Sequence, residues 1–227
     1  SVDIAGPGFI NVFINNNIIT EQLKIVLNEE TKFGKNNQGK GKKAQVEFVS
    51  ANPTGPLTIG HGRGAILGDV ISNILSWNGY KVDREYYYNN AGRQMTRLGQ
   101  SVRVRYLELL DEEIEFPDEG YEGEYIKDIA KILLEQKQDS LKNINDITPF
   151  IEVAEKNIFI NIKATLEKLG LNFNNYFNEN SLYESGAIEN VVKSLKSKKL
   201  VYIKDGATWF KGSSVGCKQD RVIIKST

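Results

Sequence analysis

Residues Glu47-Phe48-Val49-Ser50-Ala51-Asn52-Pro53-Thr54-Gly55-Pro56-Leu57-Thr58-Ile59-Gly60-His61-Gly62-Arg63 decide how this chain folds. Val46 to Val49 reads as a short strand. Ser50 to Pro56 is too rich in Pro and Gly to be regular. From about Gly60 the pattern turns helical: Ile66, Leu67, Val70, Ile71, Ile74 and Leu75 fall on one face of a 3.6-residue repeat. Asn78-Gly79 is a helix stop. Lys81 to Tyr88, with Val82 and the Tyr86-Tyr87-Tyr88 cluster, is a second strand. Strand, loop, helix and strand in this order make a βαβ unit, with parallel strands and a right-handed crossover. Such sheets bind ligands at the C-terminal ends of their strands. Here those ends are the loop Ser50 to Pro56 and the helix start at Gly60-His61.

Outward from this unit the pattern changes several times. Phe9-Ile10-Asn11-Val12-Phe13-Ile14 alternates like a strand, Asn15-Asn16-Asn17 is a turn, and Thr20 to Glu30 is helical with Leu23, Val26 and Leu27 on one face. Residues 31–43 carry Lys32, Lys35, Lys40, Lys42 and Lys43 among Gly, Asn and Gln, with no acid after Thr31. That suits either a solvated linker or one that contacts phosphates. Ala91 to Leu110 reads as a helix bearing Arg93, Arg97, Arg103 and Arg105, and then the charge reverses: Glu108 to Glu124 holds nine acids and no base. Such a run is ordinarily a solvated face. Residues 125–137, 150–169 and 186–199 have helical spacing; Ile151, Ala154, Ile158, Ile162, Leu166 and Leu169 make one stripe that Gly170 ends. Leu200 to Ile203, Thr208 to Phe210 and Val222 to Ile224 return to short strands. The mainly helical stretch 91–199 thus reads as an insertion between strands.

Composition narrows the function classes. With 227 residues, 40% hydrophobic and 26% charged, the chain has the make-up of a globular protein. No apolar run approaches the roughly 18 residues of a membrane span. The single cysteine, Cys217, excludes an internal disulfide and a multi-cysteine zinc site, and the single histidine, His61, excludes a histidine-pair metal site. Twenty-nine basic and 29 acidic side chains cancel, which argues against general nucleic-acid binding but not against one specific nucleic-acid partner. No basic n-region or small-residue cleavage site marks a signal peptide at the front. The chain starts at Ser1, its one Met is Met95, and a β-like run ends at Thr227; we expect a piece of a longer protein.

The loop and the helix start are suited to an anion. Small residues let a ligand approach the backbone, free N–H groups and the positive dipole end face it, and His61 adds a donor. Yet neither a P-loop nor a dinucleotide fingerprint occurs, since Gly60-x-Gly62-x-Gly64 has the wrong spacing. On spacing alone, those glycines could equally serve to pack the helix closely on the sheet.

The seventeen residues quoted first closely resemble the signature of class I aminoacyl-tRNA synthetases, and within that class the arginyl-tRNA synthetases. Gly6-Pro7-Gly8-Phe9-Ile10-Asn11, Arg84 to Gln94, Asp205 to Phe210 and Asp220-Arg221-Val222 are similar to further blocks of that family, with the weakest likeness at 107–150. The resemblance implies an α/β, Rossmann-like parallel sheet with a helical insertion: residues 44–227 as the first part of a nucleotide-binding catalytic domain, and 1–43 as the tail of an α+β N-terminal, tRNA-contacting domain plus linker. It implies ATP-dependent ligation of arginine to its cognate tRNA through arginyl-adenylate, with Mg²⁺ accompanying ATP rather than bound by protein ligands.

The family's H-I-G-H-type element falls on Thr58-Ile59-Gly60-His61, with Thr58 in place of the first histidine. The resemblance makes His61, Thr58 and Gly60 the catalytic group, extends nucleotide binding to Ile59 and Gly62, and gives arginine to Glu47, Ser50, Ala51, Asn52 and His61. A threonine hydroxyl can still donate one hydrogen bond but cannot become cationic. The same resemblance implies a second half of the nucleotide-binding fold with a K-M-S-K-type loop, for which Lys225-Ser226-Thr227 should not be mistaken, and a helical anticodon-binding domain. The expected partners are arginine, ATP and tRNA(Arg), without a membrane; the expected state is a cytoplasmic monomer. Two rivals stand beside this reading: a class I-type adenylyl transferase of another specificity, and a non-catalytic synthetase-like binding module.

Overall fold

A computed structural model describes residues 1–226. The chain divides into two compact units. One comprises Ser1–Val46 with Leu67–Asp83; the other comprises Glu47–Ile66 with the chain from Arg84 onward.

In the first unit, β1 (Val2–Ala5) and β2 (Phe9–Val12) form an antiparallel hairpin, Val2 opposite Val12 and Ala5 opposite Phe9. Its turn passes through Gly6 and Gly8, both at positive φ (62° and 94°), where a side chain would be strained. Helix α1 (Asn16–Glu29) follows, four residues earlier than the periodicity predicts, because the Asn15 side chain accepts from the Asn17 N–H and caps it. The lysine-rich segment is not a free linker. Asn36 N–H donates to Trp77 O, the Asn36 side chain donates to Asn78, Gly39 N–H donates to Asn78 O, and the Trp77 indole donates to Phe33 O. A Cβ at Gly39 would lie 2.1 Å from the Tyr80 ring, so only glycine admits this approach. Lys35 and Lys42 rest over the Trp77 and Tyr80 rings.

Strand β3 (Lys43–Glu47), helix α2 (Ile59–Trp77) and strand β4 (Lys81–Tyr88) form the expected βαβ unit. β3 pairs with β4 in parallel: Lys81 N–H donates to Lys42 O and Phe48 N–H to Glu85 O, so both strands advance together. β3 stops earlier than its apolar pattern suggests. Val49 and Ser50 have φ of 66° and 45°, and Ser50 N–H returns to Phe48 O at 2.9 Å, closing a tight turn on Val49. A β-branched residue at positive φ is strained, and Val49 lies at the sheet's carboxyl edge. The apolar face of α2 is open in this structure, with Ile66 54% and Leu67 60% exposed and Val70, Ile71 and Ile74 exposed beyond them.

The second unit holds the core. Helices α3 (Arg93–Glu108), α4 (Glu124–Lys137) and α5 (Thr148–Lys168) pack on one another through Leu98, Val102, Tyr106, Ile126, Leu133, Phe150, Ile162 and Leu166. The α5 stripe is as the spacing predicts from Ala154 to Leu166, but Leu169 is exposed and Gly170 (φ 73°) ends the turn. Strand β5 (Asn175–Asn178) pairs with β4 in parallel, Tyr86 opposite Tyr176, and completes a three-stranded sheet of order β3-β4-β5. The sequence reading has no strand there. Two short helices, α6 (Asn180–Glu184) and α7 (Ala187–Ser197), lead to an antiparallel sheet of β6 (Val201–Lys204), β7 (Ala207–Phe210) and β8 (Arg221–Ile224). Asp205 and Gly206, both at positive φ, make its first hairpin turn. β8 ends at Ile224, and of the Lys225-Ser226-Thr227 ending Thr227 lies outside the described residues.

Candidate functional site

The site is built where β3, β4 and β5 end. At the start of α2, the Thr58 hydroxyl lies 3.5 Å from the His61 N–H, while Thr58 N–H donates to His61 Nδ1 at 3.0 Å. These are the two halves of a capping box, with histidine in place of the usual glutamate. The Thr58 hydroxyl also sits 3.1 Å from Nδ1. Because Nδ1 accepts the backbone N–H, the ring proton of this pair belongs on Nε2, which leaves an N–H donor on the far edge of the ring. Thr58 therefore acts on His61 as much as on any ligand. No acidic side chain occupies the first turn of α2, so the helix dipole there is not cancelled. A Cβ at Gly62 or Gly64 would meet nothing within 4 Å, so packing among the described residues does not require either glycine.

The loop before this helix is fixed from below by the tyrosine strand. Tyr86, fully buried, accepts from Ala51 N–H at 3.2 Å and donates to Ala51 O at 2.8 Å. Burial drives its phenol well above the usual range, so it stays a neutral donor. The Ser50 hydroxyl donates to Glu47 at 2.9 Å and accepts from Tyr87 N–H at 3.2 Å. Asn52 accepts from Asn89 N–H and donates to Gln94, leaving one amide hydrogen and one lone pair to offer elsewhere. Thus Glu47, Ser50, Ala51 and Asn52 are all held in place, and by four different partners.

Several residues here have no counterpart in the sequence reading of the site. Glu179, just past β5, accepts from the Tyr87 hydroxyl at 2.8 Å and from the Asn89 side chain at 2.9 Å. Desolvation, then Glu179 and Glu47, push the Tyr87 phenol up to about 12. Two carboxylates thus flank one tyrosine at the strand ends. A cleft of about 470 Å³ is lined by Ala51, Asn52, Thr54, Thr58 and His61 together with Gln94, Tyr121 and Tyr125. Ile59, by contrast, is 94% exposed and turns away from the packed interior. The signal that could have flagged Tyr121 and Tyr125 is a pair of tyrosines at the end of an acidic run, one within it and one just beyond. Of the four helix-α3 arginines, Arg97 is paired with Glu119, and Arg105 bonds Glu108 at 2.8 Å and covers the Phe116 ring at 4.4 Å. Among the described residues no group of three or more His, Cys, Asp or Glu could hold a metal ion.

A parallel sheet whose carboxyl edge carries a held polar loop and a helix N-terminus is the architecture of α/β domains that bind ligands at that edge. A family model described as "tRNA synthetases class I (R), catalytic domain" matches residues 22–227, and the chain belongs to that family. The chain is 54% identical over 226 residues to an arginine–tRNA ligase of Desulfotalea psychrophila, matching 100% of this chain and 41% of that protein. It is 50% identical to an arginine–tRNA ligase of Prosthecochloris aestuarii over 99% of the chain and 42% of that protein. The chain therefore spans about two fifths of the length of these curated relatives. A putative arginyl-tRNA synthetase structure from Campylobacter jejuni superposes with a TM-score of 0.84 at 35% identity, covering 94% of this chain and 47% of that one. The arginyl-tRNA synthetase of Thermus thermophilus, at 19% identity and TM-score 0.66 over 100% of this chain and 38% of its own, shares the fold.

Proposed function

We propose that the protein to which this chain belongs joins arginine to tRNA(Arg) in two steps. The arginine carboxylate forms a bond to the α-phosphorus of ATP as the bond to pyrophosphate breaks. The tRNA terminal hydroxyl then attacks the carbonyl of arginyl-adenylate, and AMP leaves. The observation that carries this reading is the Thr58–His61 capping box, which fixes an Nε2–H donor beside an uncancelled helix N-terminus. Charge that grows on the α-phosphate in the transition state is stabilised there without reorganisation. His61 is the principal donor, Thr58 orients it, and Ile59, Gly60 and Gly62 supply backbone close to the phosphates. Glu47, Ser50, Ala51 and Asn52, with His61, receive arginine; carboxylate and amide oxygens suit its ammonium and guanidinium groups. Mg²⁺ arrives on the ATP phosphates.

In the same reading residues 44–227 are the first part of the catalytic domain, with a mainly helical insertion at about 91–199 from which β5 returns to the parallel sheet, and 1–43 come from a tRNA-contacting domain. The remaining ATP and arginine contacts lie outside this chain, and the whole protein works as a cytoplasmic monomer.

ATP–pyrophosphate exchange on the full-length protein with tRNA present tests the reading. Exchange should require arginine, and His61→Ala should lower it about 100-fold, the scale of removing one transition-state donor. Equal or better exchange with another amino acid would support an adenylyl transferase of other specificity instead. The 227-residue chain alone should give no exchange.

A further inference from the structure

The acidic segment between α3 and α4 does more than face solvent. It is fastened along α3 and ends on the signature loop. Phe116 lies under the Arg105 guanidinium, Glu119 pairs with Arg97, and Tyr121 N–H donates at 2.8 Å to the hydroxyl of fully buried Ser101. Tyr125, the second residue of α4, then donates its hydroxyl to Thr54 O at 2.8 Å. Its ring lies between two glycines: a Cβ at Gly55 would stand 3.0 Å from the phenol oxygen, and one at Gly123 would stand 2.4 Å from the ring edge. Gly55 has no positive φ, so its lack of a side chain serves this contact and not the backbone. The Thr54 carbonyl belongs to the stretch between Asn52, held from the sheet side, and Thr58, which caps α2.

We propose that Tyr125 is a positioning residue, through which the acidic segment sets the height of loop 53–57 and hence of Thr58 and His61 relative to the nucleotide phosphates. This rests on the reading of that loop as the ATP-binding element. Asn52 and the residues before it are fixed independently, by Tyr86, Tyr87 N–H, Asn89 N–H and Gln94. Loss of the Tyr125 bond should therefore disturb phosphate chemistry far more than arginine binding, which keeps Glu47, Ser50, Ala51 and Asn52 in place and loses at most part of its His61 contact. Burial pushes the phenol up to about 12, so it remains a donor at every pH used for such an assay.

The test uses the full-length protein carrying Tyr125→Phe, Gly55→Ala, or both. Tyr125→Phe keeps the half-buried ring, and Gly55→Ala pushes the phenol off Thr54 from the other side. Each should lower kcat of arginine-dependent pyrophosphate exchange about tenfold, with KM for arginine unchanged within about twofold, as expected for a small misplacement of a catalytic group. The double variant should be no worse than the more damaged single one, because both remove the same bond. Hydrogen exchange by mass spectrometry should quicken in peptides covering 52–58 and stay unchanged in α5. Unaltered kcat and unaltered exchange at 52–58 in Tyr125→Phe would overturn the proposal, as would multiplicative losses or a fall in melting temperature that accounts for the lost rate. If the unmodified protein shows no arginine-dependent turnover, the functional reading fails, while hydrogen exchange still decides whether Tyr125 orders the loop.

Discussion

Two side chains at the head of α2 each serve the other. Thr58 terminates the helix by offering its hydroxyl to the His61 N–H, and His61 receives the Thr58 N–H on its ring. Thr58→Ala should destabilise the fold by about 1 kcal/mol, the value of an N-cap, and Thr58→Ser should restore most of it. Urea denaturation of both variants checks this. A larger cost is expected below the loop. Tyr86→Phe strands the N–H and C=O of Ala51, itself buried, so a loss of about 1–3 kcal/mol should appear in the same experiment. His61 and its surroundings are legible in the sequence because the loop is one contiguous run of unusual residues. Tyr86, Glu179 and Tyr125 are not, because nothing in their immediate neighbours says that a strand end, a helix start and this loop meet.

At the scale of elements, local pattern and pairing partner part company. α2 and α5 follow from their apolar spacing, and β4 from its tyrosines and Val82. β5 does not, because Asn175-Tyr176-Phe177-Asn178 is short and asparagine is poor in strands. Its strand character comes from β4, ninety positions away in the chain, where Asn175 bonds Glu85 and Asn174 caps Arg84 N–H. The α3–α5 interface depends on Gly99, where a Cβ would lie 2.5 Å from Ile151 and 2.9 Å from Ile147. Gly99→Ala should therefore cost about 1–3 kcal/mol by overpacking, measurable as a lower urea midpoint at unchanged slope. Charge in the basic elements is also partitioned. Arg97 and Arg105 are occupied within the chain, whereas the lysines of 31–43 lie on an exposed docked segment. Replacing Lys32, Lys40 and Lys43 by Gln in the full-length protein should flatten the salt dependence of tRNA affinity, and Arg97→Gln should leave it unchanged.

For the molecule as a whole, alkaline pH exposes the cost of burying phenols. Unfolded tyrosines ionise near 10, whereas Tyr87 and Tyr125 hold their protons to about 12. Above pH 10 the unfolded chain has released protons that the folded chain retains, so stability falls as pH rises and is fully present only below that point. Urea midpoints taken from pH 8 to pH 11 should decline, with a shallower decline in Tyr125→Phe. The balanced charge of the sequence conceals a further whole-molecule feature. Within 108–124, Glu119 is taken up by Arg97 of α3, and Tyr125 just beyond the stretch bonds Thr54, so a segment that reads as solvated is fastened at both points.

The single imidazole has a practical consequence for spectroscopy. A protein of this size ordinarily gives overlapping histidine resonances, but here every imidazole signal of the chain comes from His61. Since its Nδ1 is tied to the first turn of α2, nitrogen chemical shifts of that one ring in uniformly isotope-enriched protein report the tautomer and the integrity of the helix cap in a single spectrum, with no histidine assignment to make.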